Sequence, residues 1–324
     1  MAPSLHFKQL HSAGTDGVQP RVLVCVHSLF TSSRFLEGLA QKYIDDAASA
    51  TGKPWTAVLL DSRFHGQSRG LTGLGPPHSV DSMTADVART LAEGVHAGRW
   101  GPPEVLLGHS IGGLIVLELA QQLGRAAEQG GPPELLALGV WVLDSRVLPM
   151  AADHPMLGEV QGLLSAILSV PQPMPSPDDM TRAVAAFLAS LGAPEAPPWL
   201  PALCAHFVKP DPSPGVTGGT GGGGGYVRQF DASAYPELMA SFASKDYSAL
   251  LDAPPPGCCL HLVRAAACSM WAADGQEELA FIRERQAAGR AVQLHEVEVA
   301  THWLPLSHEA ELLAAMCGEL AALK

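Results

Sequence analysis

Short apolar runs and longer amphipathic stretches take turns along the first half of the chain. "RVLVCVHS" (21–28), "WTAVLLD" (55–61) and "PEVLLGH" (103–109) are nearly continuous in apolar residues, the pattern of strands buried on both faces. Between them, "SRFLEGLAQKYIDDAAS" (33–49) carries helical spacing at Phe35, Leu36, Leu39 and Tyr43, with Ser33 as its cap, and "SMTADVARTLAEGVH" (82–96) is amphipathic. "GGLIVLELAQQLGRA" (112–126) continues as a helix, and "LLALGVWVLDS" (135–145) as a strand. Apolar strands alternating with helices predict an α/β protein whose mostly parallel sheet is flanked by helices.

The rhythm stops after Asp144. From about 150 to 250 the chain has helical stretches broken by proline-rich segments such as "VPQPMPSP" and "PDPSPG". "GVTGGTGGGGG" (215–225) is a flexible tract that cannot pack and reads as a disordered loop. Then the alternation resumes: strand 258–267, helix 275–289, strand 291–300 and helix 307–323. The predicted organisation is a core over 1–149, a helical lid with a Gly-rich loop over 150–250, and the rest of the core over 251–324. No internal repeat is visible.

Composition narrows the class. The chain is 47% hydrophobic and 16% charged, with a net charge of −12. An acidic surface disfavours nucleic acid and anionic membranes as partners. The longest apolar run, "LLALGVWVL" (135–143), is far too short to span a bilayer. Six cysteines form no CxxC pair and no zinc-site spacing, which suits a reducing compartment. The N-terminal stretch has no secretory h-region and is not Arg/Ser-rich. The expected location is the cytoplasm, with an organelle open through a leader absent from this chain.

The chemistry-bearing segment is "LLGHSIGGLIVLE" (106–118). Strand, then Gly108-His109-Ser110-Ile111-Gly112, then helix, is the context of a nucleophile elbow. The turn is sharp, and side chains two residues either side of the serine would strike backbone, so both positions are glycine. The turn lifts the Ser110 hydroxyl above the carboxyl ends of the strands and places a helix N-terminus beside it.

A serine nucleophile needs a base and a group to orient that base. His302, in "ATHW" directly after the last strand, is favoured as the base over His308, which starts the final helix. His109 reads as a packing neighbour of the turn, and the remaining histidines as surface or structural. Two acids stay open: Asp144, ending the strand after the elbow helix, and Asp274, in "CSMWAADGQEE" past the next strand. Asp144 is preferred because Asp274 comes several positions late, and Glu277 later still. A tetrahedral intermediate needs two donors. The Ile111 N–H is one and the Leu29 N–H, in "HSLFTSS" (27–33), the other. Arg63, His65 and Gly66 in "DSRFHGQS" (61–68) read as a structural turn near the site.

With "VHSLFTSS", "LLDSRFHGQS", "LLGHSIGG", "WVLDS" and "ATHW" in this order, the chain resembles the α/β-hydrolase superfamily. Within it the chain is similar to the abhydrolase-domain-containing protein eleven group and to small bacterial esterases. "LPALCAHF", "GGYVRQFD" and "KDYSALL" extend the likeness into the lid. The resemblance implies an α/β-hydrolase fold with the lid after the sixth strand, and ester or thioester hydrolysis by a Ser-Asp-His triad without metal or cofactor. It also implies an acid after the sixth strand, which maps onto Asp144. The chain departs from the family at His27-Ser28, where His-Gly is usual, in its Gly tract, and at Met270, where relatives can carry an acid.

The expectation is therefore a serine hydrolase, monomeric or weakly associating, acting on a small ester or thioester with an apolar acyl group. Two rivals use the same residues differently. One is a lyase or acyltransferase built on the triad, which product analysis separates. The other is a ligand-binding receptor or scaffold on the same fold, recognised by tight binding without turnover.

Overall fold

The computed structural model describes residues 2–13, 18–130, 137–193, 195–211, 225–271 and 275–320. Its strands are β1 (Phe7–His11), β2 (Arg21–Val26), β3 (Trp55–Leu60), β4 (Val105–His109), β5 (Gly139–Leu143), β6 (Val208–Pro210), β7 (Tyr226–Arg228), β8 (Cys259–Ala265) and β9 (Val292–Val297). Seven of them form one sheet in the order β1-β3-β2-β4-β5-β8-β9. β1 runs antiparallel to β3, and every other pair in this sheet is parallel. The helices are α1 (Glu37–Thr51), α2 (Val80–His96), α3 (Ile111–Glu128), α4 (Pro155–Ser169), α5 (Pro177–Ser190), α6 (Leu200–Ala205), α7 (Tyr235–Ser244), α8 (Ser248–Asp252), α9 (Gly275–Ala287), α10 (Leu304–Ser307) and α11 (Glu309–Gly318).

The period-two alternation of each strand feeds two cores. Val22, Val24 and Val26 of β2 join α2, α3 and α9 on one face. Leu23 and Cys25 join α1 and α11 on the other. Each fully buried Leu or Val contributes about 1.5–3 kcal/mol, and β3, β4 and β5 are buried along their whole length. That is why they read as unbroken apolar runs.

Three expectations need correction. β1 was missed, because "FKQLH" is an edge strand with little to bury and no apolar run to mark it. Ser33 does not cap α1: residues Ser33–Leu36 form a 3-10 turn, and the Ser33 N–H donates to Asp61 Oδ1 at 2.8 Å. Among the described residues the helical insert, α4 to α8, follows the fifth strand of the chain rather than a sixth, because a single strand precedes β2. Most of the Gly tract lies outside the described residues. Its flanks, β6 and β7, pair antiparallel with Val208 opposite Arg228. Among the described residues no helix is long and apolar enough to cross a membrane.

Candidate active site

Ser110 stands between β4 and α3 with φ 56° and ψ −122°. A non-glycine residue rarely adopts a positive φ, and here the surroundings enforce it. The Ser110 N–H donates to the Leu143 carbonyl at 2.9 Å, continuing the β4–β5 ladder past its end. A Cβ at Gly108 would lie 2.1 Å from the Gly112 carbonyl oxygen, and one at Gly112 would lie 2.2 Å from that of Val26. Glycine at both positions lets α3 start against the ends of β2 and β4.

Asp144 repeats the device one strand over. It ends β5 with φ 46°, and its N–H donates to the Val263 carbonyl at 2.7 Å. Its side chain is fully buried. Oδ1 accepts from the Ala265 N–H at 2.9 Å and from the Trp271 indole Nε1–H at 2.7 Å. Oδ2 accepts from His302 Nδ1 at 2.7 Å. Burial alone would raise the Asp144 pKa, but the donors from His302, Trp271 and Ala265 outweigh it and hold the carboxyl below the usual carboxylate range. With Nδ1–H committed to Asp144, His302 Nε2 is the ring's free acceptor.

His302 follows β9 and is held from behind. The Nε2–H of His109 donates to the His302 backbone carbonyl at 2.7 Å. Burial pushes the His109 pKa down to about 3, so the ring is neutral and carries its proton on that nitrogen. The ring also stacks on Phe35. His109 thus fastens the elbow to the loop carrying His302, which is more than the packing role its position suggested. His308 sits at the N-terminus of α11, where its ring bonds Ser307 Oγ at 2.8 Å. Asp274 lies outside the described residues.

The loop after β2 is pinned by polar contacts. His27 Nδ1–H donates to the Ser28 carbonyl at 2.8 Å, and its Nε2 accepts from the Ser62 N–H at 3.0 Å. The Ser28 hydroxyl pairs with Thr31 Oγ1 at 3.2 Å, so the side chain that replaces the usual glycine is absorbed within the loop. Asp61, at the end of β3, accepts the N–H groups of Ser33 and Gln67, both at 2.8 Å. Gly66 turns directly over Asp61, where a Cβ would come within 2.3 Å of its carboxylate, at φ +53°. Arg63 donates to Asp86 at 2.6 Å, and His65 Nδ1 bonds the Arg63 carbonyl at 2.8 Å. "DSRFHG" is therefore a structural turn that carries the neighbouring loop.

Ser110, His302, Leu29 and Ile111 line one cavity of about 160 Å³. Ile111 opens α3, and first-turn N–H groups have no acceptor within a helix. The far wall comes from the insert, with Leu163, Val184, Phe187 and Leu188 from α4 and α5 and Leu203 from α6. Cys268 and Glu159 also face the cavity. Burial, then the neighbouring Asp144 and Glu159 carboxylates, push the Cys268 thiol pKa well up.

Residues 23–315 match the profile of the Alpha/beta hydrolase family. The chain belongs to this family. An esterase from a marine microorganism superposes with a TM-score of 0.66 at 14% identity, over 97% of this chain and 99% of that one. An E-2-(acetamidomethylene)succinate hydrolase superposes at 0.61 and 16% identity, over 97% and 98% of the two chains. A thermophilic esterase from Thermogutta terrifontis superposes at 0.55 and 16% identity, over 98% and 93%. No curated protein matches in sequence. At these identities the likeness speaks for the fold. In this α/β hydrolase, sequence reasoning missed Trp271, whose contact with Asp144 is made only in three dimensions. It also missed Asp61, although an acidic residue at a strand's carboxyl end was a visible signal.

Proposed function

We propose that this α/β hydrolase cleaves a small carboxylic ester or thioester through an acyl-enzyme on Ser110. Nε2 of His302 takes the hydroxyl proton as Ser110 attacks the carbonyl carbon, then returns it to the leaving alcohol or thiol. Asp144 fixes the imidazole tautomer and stabilises the imidazolium that forms. The N–H groups of Ile111 and Leu29 receive the oxyanion. Water, deprotonated by His302, then releases the acid. The 2.7 Å bond from His302 Nδ1 to Asp144 Oδ2 carries this reading, together with the strained Ser110 in the same cavity.

The α4–α7 segment acts as a lid whose apolar wall takes the acyl group. A cavity of about 160 Å³ suits an acyl part of about six carbons, the size of a benzene ring. The motif likeness to the abhydrolase-domain-containing protein eleven group supports the same chemistry, and the six free thiols favour the cytoplasm.

The test is a fluorophosphonate probe read by intact mass, beside turnover of p-nitrophenyl esters. Wild type takes one adduct and turns over ester, and Ser110→Ala does neither. Adduct formation or turnover on Ser110→Ala would overturn the mechanism.

A further inference from the structure

One cavity side chain has no part in the chemistry above. Cys268 follows β8 and faces the cavity beside Asp144. Its Sγ, an Asp144 carboxylate oxygen and a ring nitrogen of His302 all lie within 4.8 Å of one another. Two carboxylates act on this spot, Asp144 and Glu159. Glu159 accepts from Ser269 Oγ at 2.6 Å, which holds it at the same rim. The Arg146 guanidinium is engaged by Glu278 and the Met270 carbonyl. The position therefore combines a thiol, an imidazole and a carboxylate in a locally negative, solute-accessible pocket.

We propose that Asp144, Cys268 and His302 form a reversible inhibitory site for a thiophilic divalent cation, with Zn²⁺ as the type case. Sulfur, nitrogen and oxygen in one cluster is the donor set that suits this ion. Zn–S near 2.3 Å and Zn–N or Zn–O near 2.0–2.2 Å require donors under about 4 Å apart. The donors lie within 4.8 Å of one another, and the cluster contracts to that spacing about Asp144, which Ala265 and Trp271 hold in place. The proton on His302 Nδ1 shifts to Nε2 so that Nδ1 can ligate, the cation takes the thiolate and the thiol proton leaves to solvent, with no change of oxidation state. A fourth position is left for water. Ligation draws His302 and Asp144 out of their mutual hydrogen bond and removes the base. The inhibition, though not the binding, rests on the hydrolase reading above.

Co²⁺ reports ligation without turnover, through the near-ultraviolet charge-transfer band of a cobalt thiolate. We expect one Co²⁺ per chain with that band in the wild type. Zn²⁺ should displace it, and EDTA should reverse Zn²⁺ inhibition of ester cleavage. Cys268→Ser and Cys268→Ala should both lose the band. The Zn²⁺ concentration for half inhibition, relative to each variant's own metal-free rate, should rise by roughly tenfold to a hundredfold. Bound Co²⁺ without the band, or unchanged Zn²⁺ sensitivity in Cys268→Ser, would overturn the site. A protein that binds Co²⁺ through thiolate but cleaves no ester keeps the site and loses the hydrolase reading.

Discussion

His109 and His302 are joined by one hydrogen bond of 2.7 Å that runs from a ring on the elbow to the backbone of the residue proposed as base. The neighbour of Ser110 in sequence is thereby tied to the main chain of His302. Because burial holds His109 near a pKa of about 3, it stays neutral and keeps donating through the working pH range.

His109→Phe keeps the stacking surface and removes the donor. The freed, part-buried carbonyl costs about 1–3 kcal/mol, which corresponds to a fall in kcat of roughly tenfold to a hundredfold if it is expressed at the His302 loop. KM should change little, since the ring is buried behind the loop. A kcat equal to wild type in steady-state assays would show that the clamp does not position the base.

Asp144→Asn tests the acid. The amide offers His302 Nδ1 a competing donor and disfavours the working tautomer, so kcat should drop by about 10⁴. Asp274→Asn should retain the wild-type rate. The reverse pair of results would move the acid to Asp274.

Much of this arrangement was readable from the sequence. Ser110 announced itself because the elbow imposes glycine at 108 and 112, a constraint local to the turn. Asp144 and His302 were found by strand ends and chain order, which continuous apolar runs mark well. Trp271 was not, because its indole reaches Asp144 across 127 positions with no local pattern. The same holds for Arg146 and Glu278, a buried pair made by two segments 132 positions apart. β1 escaped for a different reason: an edge strand buries too little to leave a periodic signal.

Trp271→Phe tests the support of Asp144. Losing the indole donor lifts the Asp144 pKa back toward its ordinary value of 3.8. A depressed folded pKa contributes stability above the unfolded value and loses it as pH falls through the folded one. The variant should therefore be less stable than wild type at pH 7 by about 1.5–3 kcal/mol, as a bond to a charged group is lost. The gap should narrow as pH falls below 3.8. Urea denaturation across that range measures it, and a gap independent of pH would mean that the loss is packing alone.

Glu278 and Arg146 form an ion pair whose side chains are 0% and 3% exposed. Glu278 also accepts the Val147 N–H at 2.7 Å, and Arg146 donates to the Met270 carbonyl at 3.2 Å. The pair thus ties the segment after β5 to the turn carrying Trp271. Glu278→Ala removes the carboxylate from a buried guanidinium and should cost about 3–5 kcal/mol. Glu278→Leu combined with Arg146→Met should recover a large part of that loss, which chemical denaturation of the three proteins would show. Equal loss in the single and double variants would assign the effect to packing.

Phe187 of α5 lines the cavity. Its ring faces Gly162 of α4, where a Cβ would come within 2.5 Å of it, so α4 and α5 pack closely beside the cavity at this point. Phe187→Ala opens space between the two helices and leaves Gly162 bare. Each methylene that the enlarged pocket accepts is worth about 1–3 kcal/mol of transition-state binding. The optimum p-nitrophenyl ester should move to a longer acyl chain, with kcat/KM rising for long esters and falling for short ones that no longer fill the pocket. Fluorophosphonate labelling by a small probe should proceed as in wild type, because Phe187 stands on the lid wall and not at Ser110. An unchanged chain-length profile would place the acyl group elsewhere in the cavity, against the Met239 and Phe242 side contributed by α7.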